Sequence, residues 1–320
     1  MFDPRSFSRR RFVALAGAAA LAPTAVRAQS RTLRFASAPD DDVTSFLYAQ
    51  EAGIFKRAGL DVTIQRSNSG SAVAAAVAGG SIDIGKSSVM SLISAHNRGL
   101  PFVLVAPAGL YTAAEPVVAM LVAKEGPIRT PRDLAGKTIA VPALGDLYSI
   151  ANNSFIDANG GDAKSVRYIE MPSAASPDAV INHRIDAVTL TTPILVAALE
   201  TGKLRVIGHP FDAISKRFIQ AAWFTTRDFA AQNREMIGRF QRAILESAVY
   251  ANAHHAETVN ALAAFTAADP KLVARMPRAT AGTVLDPALV QPVIDAAVKY
   301  KAIAATFDAR GMIDPGSLRS

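Results

Sequence analysis

The chain has 320 residues, half of them hydrophobic and 19% charged, with no cysteine. That balance excludes a disordered chain, and the length allows one large domain or two lobes of about 100–200 residues each. The missing cysteines exclude disulfides, a thiol nucleophile, an iron–sulfur cluster and Cys-ligated zinc, and they leave the redox compartment open. Net charge is +7, but Arg5, Arg9, Arg10, Arg11 and Arg27 stand against Asp3 alone in the first 28 residues. The remainder is close to neutral and lacks the basic footprint that a phosphate backbone demands, so nucleic acid is not an expected partner.

Residues 1–28 read as an export signal: a charged start, an apolar run from Phe12 to Ala22 broken by Pro23, then Ala25-Val26-Arg27-Ala28 with small residues at the positions a signal peptidase reads. The run is far shorter than the ~20 residues a spanning helix needs. Ser8-Arg9-Arg10-Arg11-Phe12-Val13 resembles the twin-arginine signal, which would make the twin-arginine translocase a partner during export; an ordinary secretory leader is the other reading. Either way the mature chain is expected to start near Gln29 and to work in the periplasm. No Cys follows the run to carry a lipid anchor, and no later segment approaches ~18 uninterrupted apolar residues, so a soluble mature protein is expected.

Beyond the leader, short β-branched runs alternate with Ala-rich helical stretches, which predicts an α/β fold with a largely parallel sheet. Strands are expected at 32–36, 61–65, 82–84 and 102–106, with helices at 44–52, 72–78 and 89–97 between them. After an apolar strand at 117–124 the order returns: strands at 138–141, 166–169, 187–190 and 204–207, helices at 147–158, 177–182 and 193–200. The echo holds at single residues. Ile82-Asp83 matches Ile185-Asp186, Ser87-Ser88 matches Thr191-Thr192, and Gly99 matches Gly202. Chance likeness of generic α/β units is the competing explanation; two lobes on one plan fit better. The division is therefore 29–118 for the first part of lobe 1, 119–222 for lobe 2, and 223–320 for the return to lobe 1 and its closing helices. A return strand is expected at 219–225 and helices at 233–252, 256–266 and 287–299, with no further strand.

In such sheets the carboxyl ends of strands and the amino ends of helices meet at one edge, where free N–H groups and helix dipoles face outward. Here those junctions carry small and hydroxyl residues: Ser67-Asn68-Ser69-Gly70-Ser71, Lys86-Ser87-Ser88, Leu144-Gly145-Asp146 and Thr191-Thr192-Pro193. Facing lobes would bring all four into one cleft, and a ligand bridging them would favour closure. Each hydroxyl has a second reading as a plain helix N-cap, worth about 1 kcal/mol.

These residues carry a resemblance. The run Phe46-Leu47-Tyr48-Ala49-Gln50-Glu51-Ala52-Gly53-Ile54-Phe55-Lys56-Arg57-Ala58-Gly59-Leu60-Asp61-Val62, the segment Gly79-Gly80-Ser81-Ile82-Asp83-Ile84-Gly85, the stretch Asp133-Leu134-Ala135-Gly136-Lys137, and Arg184-Ile185-Asp186-Ala187 followed by Thr192-Pro193 are similar to substrate-binding proteins of the sulfonate/nitrate/taurine and thiamine-precursor ABC importers. The match runs over about 32–225, with a weaker echo in 300–315. The resemblance implies a two-lobe type II periplasmic-binding fold hinged on two crossover strands. It also implies no catalysis, no cofactor, and a monomer that captures a small molecule and delivers it to an inner-membrane ABC permease. Carried over by position, it puts ligand contacts on Asp40, Ser69, Gly70, Lys86, Ser87, Ser88, Tyr111, Gly145, Asp146, Tyr148, Thr191 and Trp223. Ser87, Ser88, Gly145 and Thr191 are also reached from the residues alone.

Asp40-Asp41-Asp42 departs from what an anion binder should hold at its first cleft loop, since repulsion there would cost several kcal/mol at an effective dielectric near 20. The triplet reads either as a solvated loop with a helix cap or as a feature facing the cleft; in the second case the ligand offers N–H or positive charge, and Asp146 points the same way. Trp223, Tyr111 and Tyr148 could stack on a flat ring, and core packing is the competing role for Trp223. The thiamine-precursor relatives that act as enzymes carry a Cys-rich motif, which is absent here. His96, His183, His209, His254 and His255 lack metal-type spacing, and no G-x-S-x-G, H-E-x-x-H, P-loop or dinucleotide fingerprint occurs. An exported enzyme on this scaffold and a ligand-sensing partner of a membrane receptor are the alternative functions.

Overall fold

The computed structural model describes residues 32–319; the leader, its twin-arginine motif and the cleavage site lie outside the described residues. Among these residues, eleven strands form two sheets. They are β1 (Leu33–Ser37), β2 (Val62–Arg66), β3 (Ile84–Ser88), β4 (Phe102–Thr112), β5 (Val118–Ala123), β6 (Thr138–Val141), β7 (Arg167–Glu170), β8 (Ala187–Thr191), β9 (Leu204–Gly208), β10 (Arg217–Thr226) and β11 (Thr280–Ala281). The first sheet has the order β2-β1-β3-β10-β4-β11 and the second β7-β6-β8-β5-β9. In each, three parallel strands adjoin an antiparallel one, β10 in the first and β5 in the second. The two sheets therefore follow one plan with the odd strand supplied from a different point of the chain.

The repeated Ile-Asp pair has a mechanical role in that plan. Asp83 accepts the backbone N–H of Arg34 and its guanidinium, tying β3 to the start of β1. Asp186 accepts the N–H of Thr138 in the same relation between β8 and β6. Each carboxylate satisfies a strand-entry amide that the parallel ladder leaves open, and a hydrogen bond to a charged group contributes about 1.5–3 kcal/mol.

Apolar clusters fill both faces of the first sheet. On one face Phe35, Phe46, Phe55 and Trp223 meet Ile237, Phe240 and Ile244 of helix Arg234–Ala253. On the other, helix Val89–Asn97 and helix Pro287–Lys299 bury Leu92, Ile93, Val290, Val293 and Ile294. That second cluster extends to Leu147, Ile150 and Ala151 of helix Leu147–Ala158 and to Phe211, so the lobes share apolar contact beside the hinge. Among the described residues no helix is long and apolar enough to cross a membrane.

Several elements differ from expectation. β3 covers Ile84–Ser88, not 82–84, because its Gly-Lys-Ser-Ser tail is hydrogen-bonded on to β10 despite its polarity. β4 runs on to Thr112 through Pro107 and Gly109, where shifts in the register with β10 absorb the irregularity. β10 begins at Arg217, so residues 217–222 join the first sheet and not the second lobe. The links between sheets are the segments 113–117 and 209–216, the latter holding a short 3-10 turn at Pro210–Ala213; neither is itself a strand. The tail, expected to be purely helical, adds β11 at the sheet edge, clamped by Asn252, whose side chain bonds both the N–H and the C=O of Ala281.

Candidate functional site

Between the two sheets lies a cleft of about 700 Å³, walled by the carboxyl ends of β1, β2 and β3 on one side and of β6, β7 and β8 on the other. A second hollow of about 180 Å³, between the middle of β4 and helix Arg234–Ala253, contains none of the buried side-chain atoms that lack a partner. Among the described residues the cleft contains three: Ser87 Oγ, Thr192 Oγ1 and Gln220 Oε1. Burying a hydroxyl or amide without a partner costs roughly 1–3 kcal/mol, and a bound solute would recover it.

The junction hydroxyls divide by role. Ser69 caps helix Gly70–Ala78 by accepting the Ala72 N–H, and Ser88 caps helix Val89–Asn97 by accepting that of Ser91. Thr191 donates to the Val117 carbonyl at 3.3 Å. Asp146 caps helix Leu147–Ala158 by accepting the Ser149 N–H and hydroxyl at 2.9 and 3.0 Å. Ser87 and Thr192, each beside an occupied neighbour, keep their hydroxyls unspent. Gly70 lets its helix approach β3: a Cβ there would sit 2.3 Å from Ser87 Oγ.

The acidic triplet is neither solvated nor bare. Asp41 accepts from Nε and Nη2 of Arg278, which arrives from 237 residues away, and also from the N–H of Ala279. Lys86, 2% exposed, donates to both Asp40 and Asp42. Burial and the nearby Asp42 charge push the Asp40 carboxyl well above the usual carboxylate range, against the pull of Lys86. Burial also opposes ionisation of Asp42, but Lys86 and hydrogen bonds from Asp40, Lys86 and the Gln220 amide outweigh it and hold its pKa low. The carboxyls form a coupled pair around one ammonium, in which Asp40 is the weaker acid. Burial pushes Asp146 up to about 6, although its hydrogen bonds from Ser149 pull the other way.

Of the twelve residues expected at the site, Asp40, Ser69, Gly70, Lys86, Ser87, Ser88, Asp146, Tyr148 and Thr191 line the cleft. Gly145 sits beside it in a turn at φ +71°, where a side chain would be strained. Tyr111 and Trp223 lie elsewhere. Tyr111 is 1% exposed, packs on Phe211 and Phe218, and donates to Asp212 at 2.7 Å in the second lobe link. Trp223 is fully enclosed among Phe35, Phe46 and Phe240. Both strands are buried on both faces, so no alternation separated a core aromatic from a cleft aromatic. Gln220 and Phe211 line the cleft without having been singled out, Thr192 lines it as part of the expected junction Thr191-Thr192-Pro193, and Arg278 braces it from behind Asp41. A polar Gln within the apolar run Phe218-Ile219-Gln220-Ala221-Ala222 was the one signal available.

Two matching lobes around a cleft lined by helix amino ends define the class: a two-lobe binding fold. The chain belongs to the family described as NMT1/THI5 like, whose pattern matches residues 40–258. No curated protein matches it significantly. Among solved structures it is similar to the periplasmic aliphatic sulphonate binding protein SsuA from Escherichia coli, with 20% identity, 88% of this chain and 92% of that one covered, and a TM-score of 0.71. It is similar also to the periplasmic nitrate-binding protein NrtA from Synechocystis PCC 6803, with 13% identity, 91% and 87% covered, and a TM-score of 0.75. A ligand binding component of an ABC-type import system from Staphylococcus aureus, solved with zinc bound, shares 11% identity over 90% and 98% of the chains at a TM-score of 0.78. Among the described residues, no group of His, Asp or Glu is arranged to hold a metal ion.

Proposed function

We propose that the protein is the solute-binding component of an ABC importer, exported to the periplasm, where it closes its lobes on a small organic molecule and hands it unchanged to an inner-membrane permease. Family membership and the likeness of fold to importer components support this reading. The observation that carries it is the cleft of about 700 Å³ with Ser87 on one lobe and Thr192 on the other, both buried without partners. Groups that cost free energy in the empty protein and sit on opposite walls are what a ligand must bridge if it is to favour closure. The leader supplies the route, and a monomer satisfies the task because each chain holds a complete cleft.

Native mass spectrometry tests the reading. Purified protein exposed to a small-molecule cell extract should gain one non-covalent adduct, released with unchanged mass on denaturation. An Ala143→Trp variant, which fills the cleft from its loop wall, should gain none. A chemically altered product would point to an enzyme, an adduct surviving in the variant would move the site elsewhere, and no adduct on the parent protein would end the proposal.

A further inference from the structure

Ionisable groups are unevenly spread around the cleft. Asp40, Asp41, Asp42, Asp146 and Glu170 line it, against Lys86 and Arg66. The cations are committed or solvent-exposed. Lys86 lies between Asp40 and Asp42, Arg278 is held by Asp41 from behind, and Arg66 is exposed. Among the described residues, an oxyanion entering this space would find no uncommitted buried cation and at least one carboxylate beside it, and repulsion at close range costs several kcal/mol.

Gln220 gives the imbalance a direction. It falls where the register of β10 against β4 skips between Ile219 and Ala221, the kind of irregularity that re-aims a side chain. It is 8% exposed and lines the cleft. Its amide nitrogen donates to Asp42, a carboxylate that can only accept, and this fixes which end of the amide is which. The other end, Oε1, is left buried without a partner. It is an acceptor with no donor capacity, continuous with the chain Asp42–Lys86–Asp40, whose last carboxyl keeps 31% of its side-chain exposure.

We propose that Gln220 and Asp40 form an acceptor subsite on the first lobe that reads N–H donors, so that the solute is a neutral or cationic nitrogen compound and not a sulfonate, nitrate or carboxylate. This rests on the solute-receptor reading above and narrows its cargo. Ser87 and Thr192 can donate or accept and so fit either polarity; Gln220 Oε1 cannot, and it sets the choice.

Benzamidine and benzoate are flat, near-isosteric probes of opposite hydrogen-bonding sense, and ethanesulfonate adds a small anion. Thermal unfolding at matched millimolar concentrations should show benzamidine raising Tm by mass action and the two anions leaving it unchanged. Gln220→Leu should weaken benzamidine by about tenfold or more, the loss expected when a hydrogen bond to a charged group is removed. Asp40→Asn, which keeps the side-chain shape, should weaken it in the same direction and serves if the first variant does not fold. Stabilisation by the anions but not by benzamidine overturns the proposal, as does a benzamidine response unaltered in the folded variants, or silence toward all three probes. The receptor reading stands or falls on the mass measurement, so either conclusion can fail alone.

Discussion

Ser88 uses its hydroxyl to cap the helix that follows it, while Ser87, one residue earlier, faces the cleft with its hydroxyl unmatched. At this scale a one-residue step separates architecture from recognition. A sequence exposes the hydroxyl pair but not the step, because either residue could serve as the cap. Asp146 combines both roles, being a cap whose burial at the cleft raises its pKa to about 6. The unfolded chain holds the Asp146 proton only below about pH 4, so between pH 4 and 6 the folded state binds the proton more tightly. Its contribution to stability is therefore complete below about pH 4 and is lost as pH rises through 6. Asn caps as well as Asp, so Asp146→Asn should keep the helix while abolishing this slope. Denaturant unfolding of parent and variant across pH 4–7 should give curves whose separation changes by on the order of 2 kcal/mol; parallel curves would refute the assignment.

Among the elements, helix Gly70–Ala78 shows why small residues gather at these junctions. Its first residue meets Ser87 so closely that an added methyl would collide with the hydroxyl. Gly70→Ala should destabilise the protein by about 1–3 kcal/mol, the usual cost of overpacking, and should also weaken solute capture by displacing Ser87. Calorimetry of apo and solute-loaded protein measures both effects; a variant with parental Tm and affinity would mean that the helix start can shift freely. The paired parallel units were legible in the sequence because Ile82-Asp83 and Ile185-Asp186 mark identical strand entries, and the carboxylates tie identical neighbours. The second half of β4 was not, since Pro107 and Gly109 read as a strand stop, yet the pairing continues past them with shifted register. The Lys86–Asp42–Gln220 chain and the Arg278 brace were equally hidden. Their members lie 44 to 237 residues apart, and only tertiary folding brings them together.

For the whole molecule, two polar side-chain contacts away from the cleft bridge the lobes among the described residues, beside the apolar contact near the hinge. Arg275 of the first lobe pairs with Glu200 of the second at 2.6 Å, and Tyr300 donates to Asp157 at 2.9 Å. The first pair is about half exposed on both sides, so it contributes at most about 1 kcal/mol and is weakened by salt. That is small against folding but a sizeable part of the few kcal/mol that typically separate two conformations of a protein. Glu200→Gln should therefore leave Tm nearly unchanged, raise the apo radius of gyration in small-angle scattering, and lower solute affinity by no more than about fivefold. High salt should reproduce the expansion in the parent protein only. Scattering that ignores both the substitution and the salt would show that this pair does not bias the lobes.

The single tryptophan of the chain is sealed in the first-lobe core, ringed by phenylalanines and out of the cleft. Its fluorescence reports the melting of that core. A flat emission titration would carry no information about capture, so optical detection of the solute calls for a dye attached near the mouth of the groove.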